Sequence, residues 1–165
     1  MARKAFYSFH YKPDSHRASQ VRNIGAIEGN QNVSDNKWEE ITKGGDKAIK
    51  DWIADQMTGK SCVVVLIGSE TARRKWIDHE IKTGWDAGKG LVGIYIHHLK
   101  NLSGQQSTKG ANPFDGFTVG DDKKPLNAIV KAYNPHHTVS TDAYKYIADN
   151  LEDWVEEAIK IRNAY

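Results

Sequence analysis

The stretch Ser69 to Ile81, SETARRKWIDHEI, sets a tryptophan and a glutamate four residues apart behind an apolar run. Residues four apart on a helix stack one turn above the next, so Trp76 and Glu80 share a face. An aromatic ring can stack on a planar base, and a carboxylate beside it can act electrostatically, so the pair can line a ligand cleft. The same helix offers Ile77, Ile81 and Trp85 as a stripe toward a core. Trp76 lies about 140° and Glu80 about 100° from the centre of that stripe, so the core claims neither. The alternative is that Trp76 packs under a loop and Glu80 is a solvated surface carboxylate, and periodicity does not choose between the two.

The elements around this helix decide where its face points. SCVVVLIG is a β-branched run without alternation, the pattern of a strand buried on both faces. A helix follows from about Thr71 to Ala87, ending at Gly88, and GLVGIYIHH supplies a further apolar strand ending near His97. Strand, helix and strand make a βαβ unit. KAFYSFH reads as a first strand ending near Phe9. Ligands of open α/β sheets bind outside the C-terminal ends of the strands. Ser8 to His10 and Gly68 with Ser69 stand at such ends, so they can surround one crevice with Trp76 and Glu80. The N-terminus of the helix would add free N–H groups for an anionic group.

Elsewhere the signals are weaker. DSHRASQVRNI suggests a helix capped by Asp14 or Ser15 and ended by Gly25. From Gly25 to Gly45 the chain reads as a functional loop with a helical turn, in which Trp38 belongs to a flap over the pocket or anchors the loop. Asp46 caps a helix whose Ile49, Trp52, Ile53 and Met57 share one apolar face. The stretch from Lys100 to Pro125 is a long, polar, glycine-rich connection, with KGANPFDG favoured as a turn around a buried Phe114. LNAIVKAY can form another strand, and from Ser140 onward Ile147, Leu151, Trp154, Val155, Ala158 and Ile161 make the stripe of a long terminal helix.

Length and charge bound the function. The 165 residues suit a single domain, 1–165, and the net charge of +2 is spread over interspersed residues, which gives no field for nucleic acid or an anionic membrane. The lone Cys62 lies in an apolar run, consistent with a reducing, cytoplasmic location. The longest strongly apolar run, Cys62 to Ile67, is far short of the ~20 residues of a membrane span, and the N-terminus does not read as a signal peptide. Seven histidines show no metal-ligand spacing, so no metal is expected. His10 either enters the crevice or faces solvent at the strand end, and Arg17 either reaches a phosphate or is a surface charge.

Taken together, AFYSFH and VVVLIGSETARRKW…E resemble the first strand, the strand-end serine and the Trp-x-x-x-Glu helix of TIR domains. FYSFHY, VRN, VLIGS, RRKW…HEI and KGANPFD resemble, in order and approximate spacing, the TIR-like ThsB family of the Thoeris antiphage defence system, over roughly residues 3 to 118. The resemblance implies a flavodoxin-like, TIR-like three-layer α/β fold with a mainly parallel sheet. It also implies an enzyme that cleaves NAD at the nicotinamide–ribose bond and makes an ADP-ribose-derived, often cyclised signal for a separate effector. NAD is then substrate and no cofactor is needed, and self-association is expected because TIR enzymes commonly assemble before acting. The catalytic glutamate carries over to Glu80 and its companion tryptophan to Trp76. Phe9 and His10 match positions beside nicotinamide and ribose, and Phe6, Ser8 and Ser69 complete the expected substrate-binding set. A different class, a TIR-like interaction module without activity, uses the same fold. A phospho-receiver needs strand-end carboxylates for Mg²⁺, and Phe9-His10 and Gly68-Ser69 supply none.

Overall fold

The structure, a computed structural model, describes residues 3–30 and 35–165. Along the chain run strand β1 (Ala5–Ser8), helices α1 (Tyr11–Arg22), α2 (Asp35–Lys43) and α3 (Gly45–Met57), strand β2 (Cys62–Ile67) and helix α4 (Lys75–Asp86). Strands β3 (Gly90–Tyr95), β4 (Thr118–Val119), β5 (Lys124–Pro125) and β6 (Lys131–Tyr133) follow, and helix α5 (Ser140–Asn163) ends the chain. β1, β2, β3 and β6 form one parallel sheet in that spatial order, and β4 pairs with β5 apart from it. Helices cover both faces, giving the expected three-layer TIR-like arrangement with its long C-terminal helix.

The apolar runs explain the sheet. All six residues of β2 and all six of β3 are buried, because alternate side chains feed two different cores. Val64, Leu66, Val92 and Ile94 meet Ala18 and Val21 of α1 and Ile147, Leu151 and Val155 of α5 on one face. Val63, Val65, Ile67 and Leu91 meet Ile49 and Ile53 of α3 and Ile77, Ile81 and Trp85 of α4 on the other. Each fully buried aliphatic side chain contributes roughly 1.5–3 kcal/mol, so β2 alone outweighs any local propensity. Gly90 lets α5 cross close over the start of β3: a Cβ there would sit 2.8 Å from the backbone carbon of Ala158.

Beside β1 the sheet stops short. One parallel bridge pairs Lys4 with Glu28, through Ala5 N–H to the Glu28 carbonyl at 2.8 Å and Glu28 N–H to the Arg3 carbonyl at 2.9 Å. The next free donor on that edge, Tyr7 N–H, is met instead by the side-chain oxygen of Asn30 at 2.9 Å. Among the described residues no strand continues along β1 past this bridge, and Phe6 and Tyr7 of β1 line a cleft there.

Several boundaries differ from the sequence reading. α1 begins at Tyr11, and neither Asp14 nor Ser15 caps it; Asp14 is instead buried inside the first turn. The expected Gly25–Gly45 loop contains the nine-residue helix α2, while its 31–34 part lies outside the described residues. α4 begins at Lys75 rather than Thr71, because Arg73 adopts a left-handed φ of 66°, which an α-helix does not accommodate. LNAIVKAY divides into a 3₁₀ turn at Leu126–Ala128 and the short β6. Among the described residues no helix is long and apolar enough to cross a membrane.

Candidate functional site

Ser8 is the last residue of β1, and its Oγ donates a 2.7 Å hydrogen bond to Oε1 of Glu80. The inward stripe of α4 docks on β2 and β3, which turns residue 80 sideways toward the C-terminal end of β1. Only 7% of Glu80 is exposed. Burial pushes its carboxyl up to about 8, and the Ser8 hydroxyl pulls weakly the other way. Among the described residues no lysine or arginine forms an ion pair with it. A buried acid without a countercharge on the wall of a cleft favours an incoming cation.

The cleft holds about 990 Å³ and runs along the open edge of β1. Phe6, Phe9, His10, Trp76 and Glu80 all line it, so five of the seven expected site residues meet there. Ser8 does not line it but is bonded to Glu80. An aromatic series also lines it: the rings of Phe9 and Tyr11 stack at 6.1 Å, Tyr11 stands 6.5 Å from Trp38, and Trp38 meets Trp52 edge-on at 5.8 Å. Trp38 therefore lines the pocket and is anchored at once. Trp76 is half-buried, with the Lys75 ammonium 4.9 Å from its ring centre. His10 is half-buried, and burial together with Arg74 holds its pKa below the usual value, so it is neutral at pH 7. Among the described residues its Nδ1 has no partner. Past Trp76 lies a more open depression of about 560 Å³, flanked by Lys50, Arg73, Lys75 and Lys82.

Ser69 is not among the residues that line the cleft. Its carbonyl faces Gly110, where a Cβ would lie only 2.9 Å from it, so it braces the loop after β3. The free N–H groups expected there are also displaced, since α4 starts six residues later and Gly68 N–H bonds Thr71 Oγ1 at 2.8 Å. Arg17 is neither a phosphate ligand nor a surface charge. It is buried, pairs with Asp14 at 2.8 Å, and donates to the carbonyls of Leu99 and Gln105, each at 2.8 Å. It clamps the segment after β3 onto α1. A Cβ on Gly68 would collide with Asp14 Oδ2, so the glycine lets this pair sit under the end of β2. Phe114 is fully buried, with its N–H held by Asn112 Oδ1 at 2.9 Å, as the turn reading expected.

The sequence gives no site role to Arg22 or Asn30 and reads Trp52 only as part of an apolar helix face, yet all three line the cleft. A signal for the first was present: Lys12, Ser15, Ser19 and Arg22 recur at helical spacing on the side of α1 away from Ala18 and Val21. Asn30 carried none, because its role depends on where the sheet ends.

A parallel α/β sheet covered on both faces, with a buried carboxylate beside the C-terminal end of its first strand, is consistent with a TIR-like domain carrying a candidate ligand cleft. The family described as "Thoeris protein ThsB, TIR-like domain" matches residues 6–101, and the chain belongs to that family. It is also 35% identical over 134 residues to a Bacillus cereus (strain MSX-D12) protein named "Putative cyclic ADP-D-ribose synthase ThsB1", an alignment covering 77% of this chain and 70% of that protein.

Proposed function

We propose that this chain is an NAD-consuming enzyme that cleaves the nicotinamide–ribose bond and makes an ADP-ribose-derived, cyclised product, which activates a separate effector in antiphage defence. The observation that carries this reading is the buried Glu80 carboxyl, held by Ser8 on the wall of a cleft large enough for a dinucleotide. The name of the Bacillus cereus relative supports the substrate class.

The chemistry needs little beyond this arrangement. The C1′–N1 bond breaks with its electron pair passing to the pyridinium nitrogen, so nicotinamide leaves neutral and the ribose becomes oxocarbenium-like. A new bond to C1′ then forms either from water, whose oxygen releases a proton, or, in cyclisation, from the lone pair of an adenine ring nitrogen, so that the positive charge passes from the ribose to the adenine. Positive charge on the bound nicotinamide ring lowers the pKa of Glu80, so binding itself favours the carboxylate that the ribose will require. Aromatic faces at Phe9 and Trp76 stack on the base, Phe6 supports the floor, and neutral His10 is placed to meet ribose hydroxyls. Ser8 orients the carboxylate. The Ser69 position supports the neighbouring loop and makes no substrate contact in this reading.

The test is to incubate the chain and its Glu80→Gln variant with NAD⁺ over a range of protein concentrations, which also covers self-association, and to measure nicotinamide by chromatography. The parent releases nicotinamide, and the variant, still folded, loses at least about 100-fold, the usual effect of removing one preorganised electrostatic group. Equal release from both, or none from either, supports a TIR-like interaction module instead.

A further inference from the structure

Beyond Glu80 the cleft has a second polar end. Lys12, Ser15, Ser19 and Arg22 of α1 all line it, at spacings that set them in one row over roughly 15 Å of helix. At the far end of that row the Arg22 guanidinium is half-buried, and among the described residues it donates no hydrogen bond and forms no ion pair. The last carbonyls of α1 do not hold it, although a cation there would suit the helix dipole. Glu39, on the α2 wall, is exposed and does not pair with it. Arg22 packs instead beside Tyr7: a Cβ on Gly29 would lie 2.7 Å from the Tyr7 ring and 3.7 Å from Arg22 Nε. The Tyr7 hydroxyl is buried and among the described residues has no partner, on a residue only 2% exposed. Burial holds the guanidinium pKa below its ordinary value, as expected for a cation without an anion beside it.

We propose that this end of the cleft is an anion subsite centred on Arg22, which takes the diphosphate of the dinucleotide while the nicotinamide ribose lies against Glu80. The assignment rests on the dinucleotide reading above for its substrate, and on Arg22, Tyr7 and the α1 row for its place. A guanidinium presents a planar fork that matches two phosphate oxygens at once, and an unpaired one in a partly dry groove gains most from doing so.

Inorganic pyrophosphate and nicotinamide riboside, which has no phosphate, separate the two readings. Calorimetry on the full chain should show pyrophosphate binding that weakens at least tenfold in Arg22→Gln and falls between in Arg22→Lys, with melting curves confirming that each variant folds. In the parent, the Arg22 Nε–H resonance should move as pyrophosphate is added. The KM for NAD⁺ should rise at least tenfold in Arg22→Gln with kcat nearly unchanged, while turnover of nicotinamide riboside stays the same. Pyrophosphate affinity equal in parent and Arg22→Gln, an unmoved Arg22 resonance, or equal loss on both nicotinamide substrates overturns the subsite. The pyrophosphate arm reads out even if no nicotinamide is ever released.

Discussion

Replacing Glu80 with glutamine should stabilise the protein, and by an amount that depends on pH in a way only this site dictates. The side chain titrates near 4.5 when free and at about 8 in the folded protein, because burial disfavours the carboxylate. Below pH 4.5 both states hold the proton and nothing is lost. Between the two values the unfolded chain releases the proton while the folded one keeps it, so stability falls as pH rises. At about 1.4 kcal/mol for each pH unit, the loss reaches about 3 kcal/mol at pH 7 and levels off near 5 kcal/mol above pH 8. Glutamine keeps a group that can bond Ser8 and has no charge to desolvate. Urea unfolding of parent and Glu80→Gln at pH 5, 6, 7, 8 and 9 should therefore give two curves that diverge steadily and run parallel above pH 8. A domain of this kind is stable by only about 5–15 kcal/mol, so the divergence is well within reach. A difference that does not change with pH would mean that Glu80 is solvated, and the reasoning about the site would fail.

Three further outcomes follow, two from the Glu80–Ser8 contact and one from the buried Arg17–Asp14 pair. If the carboxylate is the active form, kcat/KM should rise tenfold per pH unit up to about 8 and then flatten; in Ser8→Ala, which removes a hydrogen bond that favours the charge, the bend should move up by about one pH unit, and an unmoved bend would deny Ser8 its role. Arg17→Ala leaves Asp14 buried without its cation, so urea unfolding should show a loss of about 3–5 kcal/mol and amide exchange should quicken at residues 99–105; a loss below about 1 kcal/mol would contradict the clamp.

Much of this was legible in the residues, and each exception has a physical cause. β2 and β3 announce themselves because their unbroken apolar runs tolerate no solvent face, and α5 does so through its stripe. The angle between Glu80 and the Ile77–Ile81 stripe set Glu80 to the side of it, and the structure has the residue buried there against Ser8 and lining the cleft. What spacing could not tell is that, among the described residues, no strand lies beyond β1 in the sheet, and that β1 lines the cleft around the residue. Arg17 was misread for the same reason: its partners are carbonyls of Leu99 and Gln105, which become its neighbours only once the chain has folded. α2 was hidden by the glycines and asparagines around it. Ser69 was misplaced because the left-handed Arg73 delays α4 and leaves a loop where a helix N-terminus was expected.

The most direct test of the central claim is a crystal structure of Glu80→Gln with NAD⁺ bound. The nicotinamide ribose should lie within hydrogen-bonding reach of the residue 80 amide, with the base against Trp76 or Phe9. A dinucleotide seated instead in the open depression among Lys50, Arg73 and Lys82, with residue 80 untouched, would contradict the account.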